Sequence, residues 1–141
     1  WPTSDSKARV LPAAASRTLD AVREYAAKAR ELGATHVAAV GTAALRDAGE
    51  SGTAFVQAVQ TALGDGATVE IITGQREAEL TFRAAQGDPA IAATLPANAL
   101  LVTSDIGGGS TEIGQGIGAD IFYAESVPLG AVRLSERAGL T

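Results

Sequence analysis

Up to Pro96, the spacing of apolar residues switches between helical and strand periods. Apolar positions recurring every three or four residues predict helices at about 13–32, 53–63 and 74–86. Short apolar runs, the second rich in β-branched residues, predict strands at 35–40 and 68–73. Because helices and strands alternate in this way, the pattern predicts an α/β unit in which neighbouring strands are parallel.

The pattern changes after Pro96. Three β-type segments follow one another, joined by tight glycine-containing turns, at 100–106, 110–116 and 121–127. Consecutive strands with tight turns predict an antiparallel meander. A short helix is expected from Ala131. We therefore expect a boundary between two structural units at residues 97–98.

Composition excludes several classes of function. The 141-residue chain has a formal net charge of −5, which does not suit a general nucleic-acid binder, because backbone binding needs clustered cations. It has no cysteine and one histidine, His36, so Cys-based and multi-His metal sites are excluded within the chain. His36 lies in an apolar run and is expected to be partly buried and structural.

The sequence gives no sign of membrane insertion or export. No run of about 18 apolar residues occurs, so we expect no membrane span and no membrane partner. The N-terminal residues lack the basic and apolar regions of a signal peptide, and they resemble a cut inside a longer protein. Together with the absence of cysteine, this favours a cytoplasmic location.

The segment Asp105–Glu112 carries the strongest chemical signal. A strand-like run delivers an acid, and three glycines follow it. Because glycine allows positive φ and has no Cβ, successive backbone N–H groups can converge there on an anion, and Ser110 and Thr111 add hydroxyl donors. Carboxylates beside a phosphate cradle normally hold Mg²⁺. A plain flexible turn remains the alternative.

This glycine segment differs from two familiar nucleotide-binding loops. The chain contains no GxxxxGK[ST] motif, so it has no Walker P-loop. A Rossmann fingerprint needs its glycines to open a helix, whereas residues 111–116 alternate as a strand does. The glycines are therefore predicted to form the tip of a β-hairpin.

Two further candidates lie where a strand leads into the next segment. Glu77 falls in the first turn of the third helix, near the carboxyl edge of the preceding strand, where α/β sheets bind ligands. Alternatively, if Gly74 is the N-cap, Glu77 occupies N3 and caps the helix. Arg46 suits a bidentate contact with phosphate, or it pairs with Asp47 or another acid.

Four segments, in this order, resemble the exopolyphosphatase / guanosine pentaphosphate phosphohydrolase (Ppx/GppA) family: Thr42–Ala48, Ile72–Leu80, Asp105–Glu112 and Ser126–Leu134. The resemblance covers most of the chain, and Asp105–Glu112 reproduces the family's motif without change. It implies the actin-like ATPase (ribonuclease H-like) fold, in which two α/β domains each contribute a phosphate loop to a cleft. Residues 1–97 would be the later part of the first domain and 98–141 the start of the second, with the other phosphate loop preceding residue 1.

The same resemblance implies release of terminal phosphate from inorganic polyphosphate or guanosine pentaphosphate. Glu77 matches the family's catalytic glutamate, which orients or deprotonates the attacking water. Asp105 and Glu112 match acids that bind Mg²⁺, with Mn²⁺ as a substitute, or position the water. The implied phosphate-binding residues are Gly107, Gly108, Gly109, Ser110 and Arg46.

Arg76 departs from the resemblance, because the family has an acid there. This departure keeps open a sensor that binds polyphosphate or an alarmone without turnover, and a kinase or ATPase of the same fold is the other alternative. We expect the isolated chain to be inactive or nearly so, because one wall of the cleft would be missing. We also expect a homo-oligomer, because unpaired sheet edges promote self-association.

Overall fold

The computed structural model describes residues 8–96 and 98–140. The chain divides into two compact units, the first ending at Ile72 and the second beginning at Thr73. No helix in the described part of the chain is both long enough and apolar enough to cross a bilayer.

In its described residues, 8–72, the first unit combines three helices with a two-stranded parallel sheet. Its elements are α1 (Pro12–Glu31), β1 (Val37–Gly41), α2 (Ala43–Asp47), α3 (Gly49–Leu63) and β2 (Ala67–Ile71). The strands pair in register from Val37 opposite Ala67 to Gly41 opposite Ile71. The predicted parallel pairing is thus confirmed.

The core of the first unit forms where α1 packs against α3 and α3 against β2. Ala26 of α1 contributes to it, together with Phe55, Val59 and Leu63 of α3. The three α3 residues recur every four positions and so form one apolar stripe. Gly33 follows α1 with a φ of 86°, the left-handed conformation that glycine adopts most easily.

His36 differs from its expected environment. Its side chain is exposed just before β1, and Nδ1 lies 3.1 Å from Thr35 Oγ1. The prediction of a partly buried residue was wrong, because the strand begins only at Val37, so that His36 lies outside the part of the run that pairs with β2.

The second unit is a helix packed on an antiparallel sheet. Its elements are α4 (Gly74–Gly87), α5 (Pro89–Ala92), β3 (Leu100–Ile106), β4 (Thr111–Ile117), β5 (Asp120–Val127) and α6 (Ala131–Arg137). The strand order is β3-β4-β5, and both pairings are antiparallel. The predicted meander is confirmed.

Two glycines of β4 make room for α4. Phe82 on α4 is fully buried. A Cβ added at Gly114 would lie 2.9 Å from Phe82 Cβ, and one added at Gly116 would lie 2.8 Å from Phe82 Cζ. The face of β4 that carries these glycines therefore faces α4, and Glu112 lies on the same face because side chains alternate along a strand.

This packing explains why the compact units divide at residues 72–73 and not at 97–98. Helix α4 buries Ala78 and Phe82 against the meander, so its contacts join it to the second unit. The sequence pattern grouped this helix with the preceding strand, because periodicity does not reveal which sheet a helix covers. The boundary at 97–98 between the domains of a longer protein stays a prediction.

Candidate functional site

Two acids and a serine form a row across the sheet of the second unit. Asp105 at the end of β3 is opposite Glu112 on β4, which is opposite Ser126 on β5. Glu112 is only 2% exposed, whereas Asp105 is exposed. The Ser126 hydroxyl donates a hydrogen bond of 2.6 Å to Glu112 Oε1. The row lies at the end of the sheet next to the triple glycine.

Helix α4 contacts this row through Thr81. Its hydroxyl donates to Asp105 Oδ2 at 3.4 Å. Glu77 precedes Thr81 by four residues, so both lie on the same face of the helix. Glu77 is half-buried. The structure therefore puts Glu77, Asp105 and Glu112 on one side of the same sheet.

Glu77 does not take the N3 capping position. The N-cap of α4 is Thr73, whose hydroxyl accepts a hydrogen bond of 3.1 Å from the N–H of Arg76. Arg76 is consequently at N3 and Glu77 at the next position. The alternative of a capping glutamate after a Gly74 N-cap was therefore wrong, because the preceding threonine is the better cap.

The triple glycine forms the predicted hairpin tip between β3 and β4. The N–H of Gly107 donates to the carbonyl of Ser110 at 2.9 Å, which closes the turn. None of the three glycines has a positive φ; in the described part of the chain, positive values occur at other glycines. Of the two properties of glycine considered above, positive φ is therefore not used at the hairpin tip.

Helix α6 determines the orientation of the hairpin tip. Its first N–H groups donate to loop carbonyls, from Ala131 to Gly107 at 2.9 Å and from Val132 to Gly108 at 3.0 Å. Arg133 donates twice, through its N–H to Gly108 at 3.1 Å and through Nε to the Gly109 carbonyl at 2.9 Å. All three glycine carbonyls are thus turned towards α6.

The orientation of the carbonyls fixes that of the amides. No peptide bond in the described part of the chain is cis, and in a trans peptide the N–H points opposite to the carbonyl of the preceding residue. The N–H groups of Gly108, Gly109 and Ser110 therefore point away from α6. Consecutive N–H groups aimed to one side form an anion-binding concavity.

Glycine is required here for close approach. A Cβ on Gly130 would collide with the carbonyl of Gly108 and lie 2.6 Å from the nitrogen of Gly109. A Cβ on Gly108 would lie 3.3 Å from Val132 Cγ2. The missing side chains allow α6 and the hairpin tip to meet backbone to backbone.

The two hydroxyl residues after the glycines have different environments. Ser110 is only 5% exposed, so it is a buried residue of the hairpin tip. Thr111 Oγ1 donates to the carbonyl of Leu129 at 2.5 Å. The Thr111 hydroxyl thus binds the segment that precedes α6. Because this hydroxyl already donates to a carbonyl, its expected role as a donor to an anion is not supported.

Arg46 belongs to the first unit, whereas the other predicted site residues belong to the second. Its Nη1 donates to the carbonyl of Ile72 at 3.0 Å, just after β2. The prediction that Arg46 binds phosphate stays a prediction. Arg76, the departure from the family motif, forms an ion pair with Glu79 at 3.3 Å.

The acids fit a magnesium ion that shares its ligands with a substrate. In the described residues, no group of three or more His, Cys, Asp or Glu side chains could hold a metal. Asp105 and Glu112 nevertheless supply carboxylate oxygens from paired positions. Mg²⁺ is commonly held by one or two carboxylates together with phosphate oxygens and water, and two acids beside an anion-binding turn match that arrangement.

An open cavity of about 560 Å³ lies elsewhere in the second unit. It is lined by residues of α4 and of the β4–β5 region, among them Gln75, Glu79, Arg83 and Tyr123. None of the predicted site residues lines it, so it is separate from the chemistry described above.

Sequence reasoning missed three residues that hold the site together: Thr81, Ser126 and Arg133. Ser126 and Arg133 were part of a recognised motif, but a serine in a strand and an arginine in a short helix give no signal of a partner. Their contacts with Glu112 and Gly109 follow from strand register and from the docking of α6. Thr81 falls within the third predicted helix, and no motif in the sequence singles it out.

Comparisons with known proteins identify the family to which the chain belongs. The sequence matches the Ppx/GppA phosphatase family over residues 3–138. It is 37% identical over 135 residues to exopolyphosphatase 2 of Mycobacterium tuberculosis, covering 94% of this chain and 40% of that protein. The chain belongs to the Ppx/GppA phosphatase family, and its α/β fold is part of the actin-like ATPase fold.

Solved structures give the same result. An exopolyphosphatase from Cytophaga hutchinsonii has a TM-score of 0.79 at 30% identity, over 94% of this chain and 40% of that one. The Ppx-GppA enzyme of Aquifex aeolicus has a TM-score of 0.72 at 28% identity, over 94% and 42%. The chain spans about 40% of the length of these relatives.

Proposed function

We propose that the protein carrying this chain hydrolyses phosphoanhydride bonds and releases terminal phosphate from inorganic polyphosphate. The observation that carries the proposal is the hairpin tip, where the N–H groups of Gly108, Gly109 and Ser110 point to one side. Such a turn suits the terminal phosphoryl group of a polyanion, because it offers several donors without a side chain in the way.

The acids on the same side of the sheet have distinct proposed roles. Glu77 orients the attacking water and takes its proton, since it is half-buried on the α4 face that also carries Thr81. Asp105 and Glu112 hold Mg²⁺ or position the water. Bound there, Mg²⁺ or Mn²⁺ would neutralise charge on the phosphoryl oxygens. Hydrolysis then depends on alignment and charge relief, without a cysteine or histidine nucleophile.

Inorganic polyphosphate is the first substrate candidate. The mycobacterial and Cytophaga relatives are named exopolyphosphatases. Guanosine pentaphosphate is the second candidate, because the family that the chain matches is described as Ppx/GppA phosphatases. Both substrates end in a phosphoanhydride and present the same terminal group to the hairpin tip.

A sensor without turnover and a kinase of the same fold remain alternatives. The sensor alternative was based on Arg76, a cation where the family has an acid. Arg76 forms an ion pair with Glu79 and so has a local partner on α4. We therefore favour hydrolysis. The cytoplasmic location and the homo-oligomeric state also stay predictions; light scattering during size-exclusion chromatography checks the second, and a clean monomer would contradict it.

The experiment uses the full-length protein with polyphosphate of defined length, Mg²⁺ and, in a parallel reaction, ADP. Hydrolysis predicts inorganic phosphate released in step with shortening of the chain, with or without ADP. Formation of ATP in place of phosphate would show a kinase. Polyphosphate binding without either product would show a sensor. Repeating the assay with guanosine pentaphosphate determines which substrate has the higher kcat/KM.

A further inference from the structure

We propose that Ser126 is a positioning residue for Glu112, an inference that rests on the proposed hydrolase function. Ser126 lies on β5 and has no predicted role of its own in binding or chemistry. Its hydroxyl fixes one oxygen of the Glu112 carboxylate and leaves the other for the cation or the water.

Glu112 is buried and therefore needs a hydrogen-bond donor. The side chain is 2% exposed, and a carboxylate removed from water is strongly destabilised unless it is hydrogen-bonded. In the described part of the chain, its hydrogen-bond donor is Ser126 Oγ, at 2.6 Å from Oε1. This distance is typical of a hydroxyl donating to a carboxylate. Ser126 therefore compensates the burial of Glu112.

The sheet holds Glu112 and Ser126 in fixed relative positions. Glu112 and Ser126 are direct partners in the β4–β5 ladder, and Asp105 is the partner of Glu112 on the other side. The bonded hydroxyl thus approaches Glu112 from β5, opposite the strand that carries Asp105. Because all three residues are on strands, their positions follow from the backbone ladder and not from a mobile loop.

The hydrogen bond from Ser126 distinguishes the two carboxylate oxygens of Glu112. Oε1 accepts from Ser126, and Oε2 has no hydrogen-bond partner among the described residues. A carboxylate held at one oxygen cannot exchange its two oxygens by rotation without breaking that bond. Ser126 therefore makes one oxygen of Glu112 a fixed ligand. Losing the hydroxyl would let the carboxylate rotate or withdraw from the productive geometry, which reduces rate more than substrate affinity.

The test measures the full-length protein and three substitutions of Ser126. Ser126→Ala removes the donor, Ser126→Thr keeps it, and Ser126→Cys keeps the volume with a weaker donor. Ser104→Ala is the matched control, because Ser104 is an exposed serine of the same sheet on the opposite face. The readouts are kcat and KM for polyphosphate and, without substrate, the affinity for Mn²⁺ by electron paramagnetic resonance. Thermal unfolding verifies that each variant folds.

We expect Ser126→Ala to lower kcat about 10-fold with KM within about 2-fold, as loss of a hydrogen bond to a charged group predicts. Mn²⁺ affinity falls in the same variant, Ser126→Thr restores both, Ser126→Cys is intermediate and Ser104→Ala matches the wild type. If Ser126→Ala does not fold, the Cys variant decides the outcome. A folded Ala or Cys variant with unchanged kcat and Mn²⁺ affinity would overturn the proposal.

Glu112→Gln separates this inference from the function on which it rests. If Glu112→Gln loses activity while the Ser126 variants keep it, the hydrolase function stands and only the positioning role is wrong. If Glu112→Gln keeps full activity, both the role of Glu112 and the role of Ser126 are wrong.

Discussion

The carbonyl of Gly108 occupies the space that a side chain on Gly130 would need. The two glycines are far apart in sequence, yet their backbones touch because α6 docks on the hairpin tip through its first N–H groups. This contact turns the loop carbonyls to one side and the amides to the other. The orientation of the proposed phosphate site thus depends on a residue outside the triple glycine.

Gly130→Ala should therefore damage both stability and phosphate binding. The added methyl collides with backbone, which cannot rotate away as a side chain would. Overpacking of this kind costs about 1–3 kcal/mol in the free energy of unfolding. We expect that loss in urea unfolding and a raised KM for polyphosphate. Gly87→Ala is the control, since a Cβ there meets nothing within 4 Å; equal losses in both variants would contradict the prediction.

Arg133→Lys tests the hydrogen bond that the Arg133 side chain adds to the contact between α6 and the hairpin tip. Lysine keeps the backbone N–H and the charge but loses the Nε–H that donates to the Gly109 carbonyl. The peptide that presents the N–H of Ser110 is then less constrained. We expect KM for polyphosphate to rise about 10-fold, from the loss of a charge-assisted hydrogen bond. Arg137→Lys, one turn later on α6, should change KM much less; the reverse order would count against the prediction.

Local sequence patterns determine some features of the candidate site and leave others open. The hairpin tip could be predicted because two alternating segments flank the glycines, and strand period is a local property. The physical reason for the glycines could not be predicted, since a positive φ and a close backbone approach both favour glycine. The hydrogen bond between Glu112 and Ser126 joins residues 14 positions apart in the sequence. It depends on the register of β4 and β5, which is set by the turn between them and cannot be recognised from either residue alone.

Phe82 is the largest fully buried side chain of the described residues, and it holds α4, with Glu77 and Thr81, against the sheet. Phe82→Ala leaves a cavity over Gly114 and Gly116, where no neighbouring Cβ can fill it. A Phe→Ala change in a core costs about 3–5 kcal/mol. We expect this loss in urea unfolding. Leu80→Ala, at a 37% exposed position of the same helix, should cost clearly less, and a similar loss would refute the prediction.

The hydrogen bond between Tyr123 and Glu125 should make the stability of the protein decrease at high pH. The pKa of Tyr123 is raised because its hydroxyl donates to the Glu125 carboxylate, with desolvation and the Glu125 charge acting in the same direction. The folded state therefore retains this proton above the ordinary pKa of about 10. The resulting stabilisation is present below that pH and is lost as the pH rises through the folded value.

Glu125→Gln should lower the pKa of Tyr123 towards its ordinary value. The ring ¹³C resonance of Tyr123 reports the titration, and its disappearance in Tyr123→Phe assigns it. Glu136→Gln removes an equal charge on α6 and serves as the control. If the Tyr123 titration is the same in Glu125→Gln and in the wild type, Glu125 is not the cause of the raised pKa.

Glu77→Gln tests the proposed base. Glutamine keeps the size and polarity of the side chain on α4 but cannot take a proton, so binding should persist while chemistry fails. General-base catalysis contributes about 100-fold or more to the rate. We expect kcat of the full-length protein to fall by at least that factor, with KM for polyphosphate little changed, measured as steady-state phosphate release.

Glu79→Gln is the matched control, because it removes a carboxylate two residues later on the same helix. Glu79 forms the ion pair with Arg76 and lines the separate cavity beside β5. Its loss frees an exposed arginine, and exposed ion pairs contribute about 1 kcal/mol or less. Glu79→Gln should therefore keep nearly full kcat. Equal activity of the two variants would remove Glu77 from the mechanism. A carboxylate on the side of α4 that faces Asp105 would then matter no more for kcat than Glu79, which lies on another side of the helix.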